Sequence, residues 1–408
     1  MMRQIEICRD NRMAHLTVND CFYQIRNGAN IKQGDADGGY PITRIETISN
    51  DVFNRDRMGY AGITDLTKYE SYVLEDGDLL MSHINSVQYL GRTVLYEKQG
   101  DEKIIHGMNL LVLKANRSIV KPAFARYAFY SPKFRQQLRR ITKKSVNQAS
   151  FTVADLKKIE IDVPSLEKQA HIVENLDKTK RILALRRQEI EVLDALIKAR
   201  FVEMFGDPII NPRELPVSDL GHLSELITKG ASPSWQGFSY TDDATQTLFV
   251  TSENVREGYI DISLPKYIED GFNEKQRRSV LQKGDFLINI VGASIGRAAQ
   301  FTLDCKANIN QAVALVRIED KRIRDGYLLV YLNSEKAQQM YNSMKSDTGR
   351  ANLSLQDISN LSILLPPVEE QITFENFVTQ VDKSKAAVQK SLDETQLLFN
   401  SLMQKYFG

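Results

Sequence analysis

The sequence predicts an α+β chain: two similar α/β domains, each followed by a long helix, with the helices pairing antiparallel and an internal pseudo-twofold axis relating the halves. Three observations lead there. Residues 149–169, ASFTVADLKKIEIDVPSLEKQ, align without a gap to residues 351–371, ANLSLQDISNLSILLPPVEEQ, 202 positions later. Both blocks run into a long stretch without interior Pro or Gly that carries an apolar stripe, and both stretches finish in Phe-Gly, at Phe205-Gly206 and Phe407-Gly408. A looser repeat lies upstream, where EDGDLLMSHINSVQYLGRTV at 75–94 corresponds to QKGDFLINIVGASIGRAA at 282–299.

The elements of each half follow from local chemistry. A Gly-Asp turn opens an apolar strand, a polar loop comes next, and Gly91-Arg92 or Gly296-Arg297 leads into another strand. GMNLLVLK at 107–114 and INQAVALVRI at 309–318 read as buried strands, and SPKFRQQLRR at 131–140 and SEKAQQMYNS at 334–343 as helical. Thr152 and Ser354 stand three residues before an Asp, the arrangement of a capping box opening a short helix. The runs KIEIDV and LSILL then have strand character. Pro164 and Pro366 end those strands. A helix begins at Ser165 or Pro367 with Glu in its first turn, where a carboxylate suits the helix dipole.

In the first long helix Leu176, Leu183, Ile190, Ile197 and Met204 recur every seven residues, a coiled-coil spacing. The second carries a comparable stripe that includes Val381, Val388, Leu392, Phe399 and Leu402, interrupted by Lys385 at a seam position. Each seam must be covered either by the other helix or by its own globular domain, and two sequence-related seams favour mutual pairing. The predicted boundaries are a first domain at 1–163, a first helix at 164–207, a second domain at 208–365 and a second helix at 366–408.

Charge and composition exclude several classes. With 53 basic and 52 acidic residues the net charge is +1, so any nucleic-acid binding rests on local patches and not on a globally basic field. Cys8, Cys21 and Cys305 are odd in number and form no CxxC pair, which argues against a disulfide framework and a zinc site. No apolar run is long enough for a signal peptide or a membrane span, so a cytoplasmic protein is expected. There is no GxxxxGK[ST] loop, no GxSxG elbow, no Asn/Asp-Pro-Pro-aromatic adenine site, and no pair of histidines at metal-ligand spacing. The expectation is a chain without catalysis, cofactor or metal of its own. Two rivals stay open: a coiled-coil assembly scaffold that reads no DNA, and an enzyme with an unfamiliar site.

The ordered duplication resembles the specificity subunit of type I restriction-modification systems. The resemblance spans the chain and rests on the Asp-x8-Pro-x4-Gln block (PSLEKQ at 164–169, PPVEEQ at 366–371), the Phe-Gly helix ends, and the segments KGDFLINIVGASIGRAA and ANINQAV. It implies that the two domains are target recognition domains reading the halves of an asymmetric bipartite duplex DNA target across an unread spacer. It also implies two DNA adenine methyltransferase subunits and two translocating endonuclease subunits as partners, with S-adenosylmethionine and ATP bound on those partners.

On that reading, phosphates call for Lys and Arg, and base edges for Arg, Asn or Gln. The densest basic run is Lys133, Arg135, Arg139, Arg140, Lys143 and Lys144, against Lys336, Lys345 and Arg350 in the second half. A solvated helix face is the alternative for that run. The loops between matched strands offer His83, Asn85, Gln88 and Arg92, and Asn289, Ser294 and Arg297; His83 reads as a solvated loop histidine, and the two Gly-Arg arginines as backbone contacts or parts of the fold. The candidate DNA-contacting set is Arg92, Arg139, Arg140, Lys143, Lys144, Asn289, Ser294 and Arg297. Trp235 and Phe238 read as core-packing residues of the second domain.

Overall fold

The computed structural model describes residues 13–32, 38–146, 148–344 and 352–408. The chain forms two compact units, residues 1–186 with 391–408, and residues 187–390. Each unit therefore owns a part of both long helices, whereas the boundaries read from the sequence stop the domains where the helices begin.

In the first unit four strands form an antiparallel sheet in the order Phe22–Asn27, Leu110–Ala115, Leu79–Ser82, Thr93–Leu95. Side chains alternate between faces with period two. Leu79, Met81, Leu111 and Leu113 pack in one core with Phe124 and Phe129 of the helix Pro122–Phe129, while Leu80, Val94 and Val112 pack in another with Ile48 and Tyr96. The predicted KIEIDV strand is Glu160–Val163, paired antiparallel with Ala14–Thr17. The second unit repeats this plan: Ser224–Lys229, Val313–Ile318, Phe286–Asn289 and Ala298–Gln300 make the sheet in the same order, and Val217–Asp219 pairs with Ser362–Leu364.

The Gly-Asp turns explain themselves in structure. Gly77 and Gly284 have φ of 87° and 102°, a region that favours glycine. Asp78 Oδ2 accepts the Glu75 N–H at 2.8 Å and Lys114 Nζ at 3.0 Å. Asp285 likewise accepts the Gln282 N–H at 2.7 Å and a bidentate pair from Arg317 at 2.7 and 2.8 Å. Burial pushes the Asp78 carboxyl up, and the turn N–H and Lys114 oppose that shift. A cation on the neighbouring strand is thus the partner that lets each aspartate be buried.

The Pro-x4-Gln motif is a clamp. Gln169 is fully buried; its Oε1 accepts the Lys121 N–H at 2.8 Å, and its Nε2 donates to the carbonyls of Ile119 at 2.9 Å and Pro164 at 2.8 Å. Gln371 does the same with the Arg324 N–H and the carbonyls of Arg322 and Pro366, at 2.8, 2.9 and 2.7 Å. Each amide ties the first turn of a long helix to the backbone just before a domain helix, Pro122–Phe129 or Asp325–Leu332. Both N-caps ahead of the motif form, with the Asp155 and Asp357 N–H groups each donating at 3.1 Å to Thr152 and Ser354. The reciprocal bond that completes a capping box, Ser354 N–H to Asp357 at 2.7 Å, is made in the second copy, while in the first Asp155 instead accepts the Thr152 hydroxyl at 2.7 Å.

The long helices are Leu166–Phe205 and Val368–Phe407, 40 residues each, or about 60 Å at 1.5 Å per residue. They run antiparallel within each unit. In the first unit Asn175 donates to the Tyr406 hydroxyl at 3.2 Å, and Lys180 lies over the Phe399 ring. In the second, Asp194 pairs with Lys385 at 2.5 Å and Phe201 meets Phe374 with ring centroids 5.6 Å apart. The Lys385 that interrupts the seam is therefore satisfied by a carboxylate of the facing helix.

Of the seam residues, Leu176, Leu183, Ile197 and Val381 are buried, and Ile190, Met204, Val388, Leu392, Phe399 and Leu402 are partly so. Mutual pairing and packing on the domain are both present. Phe201 and Phe205 also stack against Tyr327 of the second unit's own domain, and Phe407 against Phe124 in the first.

Candidate nucleic-acid interface

In the first unit a small sheet assembles the residues of interest. Ile84–Asn85, Ala149–Ser150 and Lys143–Lys144 form three antiparallel strands with Ala149–Ser150 in the centre; Asn85 and Lys144 both pair with Ala149. The loop after the Gly-Asp strand is thereby fixed beside a lysine hairpin, two strand spacings or about 10 Å away. The hairpin follows the helix Pro132–Ile141, whose last turn carries Arg139 and Arg140, as the helix dipole favours.

The basic run separates into two groups. Lys133 pairs with Asp162 at 2.5 Å. Arg135 donates to the Leu90 carbonyl at 2.7 Å and lies over the Tyr130 ring, and burial holds its pKa down. Arg139, Arg140, Lys143 and Lys144 are exposed and have no side-chain partner among the described residues. Exposed cations without an ion-pair partner, gathered within six residues, are what phosphate neutralisation requires.

The loop residues also divide. His83 is 7% exposed, packed edge-on against Phe151, with Nδ1 unpartnered among the described residues; burial lowers its pKa and keeps it neutral. It is a buried histidine and not the solvated one read from the sequence, because it sits between two strands, Leu79–Ser82 and Ile84–Asn85, and packs inward on Phe151. Arg92 is committed: Nε meets Asp51 Oδ1 at 3.1 Å and the guanidinium lies 4.7 Å over the Tyr89 ring. The same Asp51 oxygen accepts the Tyr130 hydroxyl at 2.7 Å. Nothing in the sequence linked Asp51 to Arg92, 41 positions away.

In the second unit Asn289 is 0% exposed, and its Nδ2 donates to the Ser252 carbonyl at 3.0 Å and to Ser294 Oγ at 3.1 Å. It braces its loop from inside and does not reach the surface, a correction to its placement among base-edge candidates. Ser294, partly exposed, receives that bond at the end of the turn Gly292–Ser294. Arg297 is partly exposed, and its guanidinium has no partner among the described residues. Lys336 is paired with Asp207 at 2.9 Å; Lys345, Arg350 and Cys8 lie outside the described residues.

Phe238 packs on Phe272 as expected, but Trp235 is 90% exposed. The single helical turn Pro233–Gln236 buries Pro233 and leaves the indole outside. Among the described residues no cluster of His, Cys, Asp and Glu could hold a metal ion, and no helix is long and apolar enough to cross a membrane.

The chain matches the family model of the type I restriction modification DNA specificity domain twice, over residues 19–195 and 217–395. It is 28% identical over 369 residues to the putative type I restriction enzyme MjaX specificity subunit of Methanocaldococcus jannaschii, covering 87% of this chain and 83% of that one. It is 29% identical over 151 residues to the EcoBI specificity subunit of Escherichia coli, covering 37% of this chain and 32% of that one. Among solved structures, a chain from a study of complex assembly and conformational transition of the type I R-M system superposes with a TM-score of 0.61 at 19% identity, covering 97% of each chain. The type I restriction-modification S subunit from M. genitalium does so with a TM-score of 0.55 at 13% identity, covering 98% of this chain and 97% of that one.

Proposed function

Because the chain belongs to the type I restriction-modification specificity family, matched in both halves, we propose that it is the DNA reader of such a complex. Each unit reads one half of an asymmetric bipartite duplex target, and the paired helices set the unread spacer. The observation that carries this reading is one frame built twice, with the same sheet order, Gly-Asp turn and glutamine clamp, and with loops that differ between the copies. A reader with two-fold related domains binds two half-sites; unequal loops make those half-sites unequal.

The same subunit scaffolds its partners in the cytoplasm. Leu185, Val192, Leu196 and Val202 on the first helix, with Leu397 and Leu398 on the second, are exposed, and apolar exposure along a helix is a feature of protein docking surfaces. These faces take two adenine methyltransferase subunits, and two endonuclease subunits join the assembly. Chemistry resides on the partners, which bind S-adenosylmethionine and ATP; this chain supplies sequence choice.

The test is adenine methylation across a genome in cells carrying this chain with its methyltransferase subunit, against cells carrying the methyltransferase alone. A split asymmetric motif that requires this chain is the expected result. A stable complex that yields no motif and binds no DNA in vitro would instead support a scaffold.

A further inference from the structure

Resting on that DNA-reading role, we infer that Gln88 is the base-reading side chain of the first unit and takes the major-groove edge of an adenine. Geometry eliminates its neighbours. His83 is buried, and Arg92 is held by Asp51 and Tyr89. Asn85 is spent on its own turn, with Nδ2 donating to Ser82 Oγ at 3.2 Å and Oδ1 accepting the Ser86 N–H at 2.8 Å. Gln88 alone of the four is exposed with its amide unpartnered among the described residues.

Its support is rigid. It occupies the middle of the 3-10 turn Val87–Tyr89. Arg92 stacks on Tyr89, the Arg92 N–H donates to the Tyr89 carbonyl at 3.2 Å, and Arg135 holds the Leu90 carbonyl. The bracing fixes the backbone from which the Gln88 side chain projects, so that only the side chain itself is ordered on binding. A glutamine amide presents a donor and an acceptor that match adenine N7 and N6, and the exposed Val87 beside it offers an apolar surface for a thymine methyl. The small sheet holds this turn next to Lys143 and Lys144, so phosphate contacts register the turn against the bases. Gln148, an exposed amide on the neighbouring hairpin whose carbonyl accepts the Ser145 N–H at 2.8 Å and Oγ at 2.9 Å, lies outside the loop between the matched strands and serves as the comparison.

The experiment compares the wild-type chain with Gln88→Ala, Gln88→Arg and Gln148→Ala, each with the methyltransferase subunit, on a library of randomised duplexes read by methylation and by binding. Thermal melts check that every variant folds. Q88A should relax one adenine position in one half-site by about 5- to 150-fold, as loss of a bidentate base contact does. Q88R should move that position toward guanine, and Q148A should leave the motif unchanged.

An unchanged Q88A motif overturns the inference, as does an equal loss of binding on every sequence, which marks a phosphate contact. Relaxation in the other half-site, or at a position that did not prefer adenine, overturns it as well. A wild-type chain with no motif at all refutes the DNA-reading role instead, and so the two failures are distinguishable.

Discussion

Residues 82–92 and 289–297 occupy the same place in two copies of one frame, and they differ in what they hold out to solvent. The frame is identical to the atom: the Ser82 N–H meets the Arg92 carbonyl and the Gly91 N–H the Ser82 carbonyl, just as the Asn289 N–H meets the Arg297 carbonyl and the Gly296 N–H the Asn289 carbonyl, all within 2.7–2.9 Å. Between those anchors one loop exposes Ile84, Val87, Gln88 and Tyr89, while the other exposes Val291, Gly292 and Ala293 with Ser294 half-buried beside them. Even the matched arginines part company, Arg92 in an ion pair and Arg297 unpartnered among the described residues. Backbone hydrogen bonds fix a loop's ends without regard to side chains, so equal sequence position does not mean equal role.

If the frames are equivalent, breaking the clamp must cost the same in both. Gln169→Ala or Gln371→Ala strips a buried amide that satisfies one N–H and two carbonyls. Leaving such groups buried and unpaired costs roughly 1–3 kcal/mol each before relaxation, so a loss of about 2–4 kcal/mol is expected for either variant. Urea unfolding of the two variants measures it. A large cost in one copy and none in the other would end the equivalence.

The loops and their surroundings should separate in DNA binding. Replacing Lys143 and Lys144 with Gln should weaken binding evenly across sequences and lower the slope of log affinity against log salt by about 2. An unchanged slope would return that patch to an ordinary solvated face. The arginine pair gives a smaller and opposite contrast. Arg92→Ala should destabilise the first unit by about 1 kcal/mol through the lost ion pair and ring contact. Arg297→Ala should leave stability within about 0.5 kcal/mol and reduce the salt slope by about 1 if its guanidinium meets a phosphate. Thermal melts and salt titrations of both variants decide.

What was legible in the sequence was whatever repeats or has a fixed period. The doubled block, the seams and the two N-caps survive as drawn, because spacing alone specifies them, although only the Ser354 cap completes its box. Roles that depend on distant partners were not legible. Asn289 is polar and lies in a loop-proximal strand, yet its partners Ser252 and Ser294 turn it into a brace. Trp235 looked like core because it is large and apolar, but one helical turn with Pro233 as its only buried residue cannot cover an indole. The Gln of the Pro-x4-Gln motif was visible as a repeat; its partners, about 50 residues upstream in each half, were not.

A second contrast lies between the first sheet strand and the Gly-Asp turn. The second unit fills this region with strands, Tyr240–Thr241, Tyr267–Ile268 and Thr247–Val250, joined to Ala307–Ile309. The first unit uses short turns braced by side chains, with Arg55 forking onto Glu102 at 2.9 and 2.6 Å. The Tyr96 hydroxyl and the Gln99 N–H also donate to Glu102, at 3.0 and 2.8 Å. The Arg55 bond, with those of Gln99 and Tyr96, holds the Glu102 carboxyl down at about 2. A carboxylate depressed on folding stabilises the folded state above its unfolded pKa of about 4.3 and ceases to do so as pH falls through the folded value. Glu102→Gln should therefore melt below the wild-type chain at pH 7, with the gap closing progressively between about pH 4.3 and about pH 2. A gap that persists unchanged at pH 2 would mean that the fork holds the first unit by shape and not by charge, and the contrast between a ladder-built and a charge-braced region would fall.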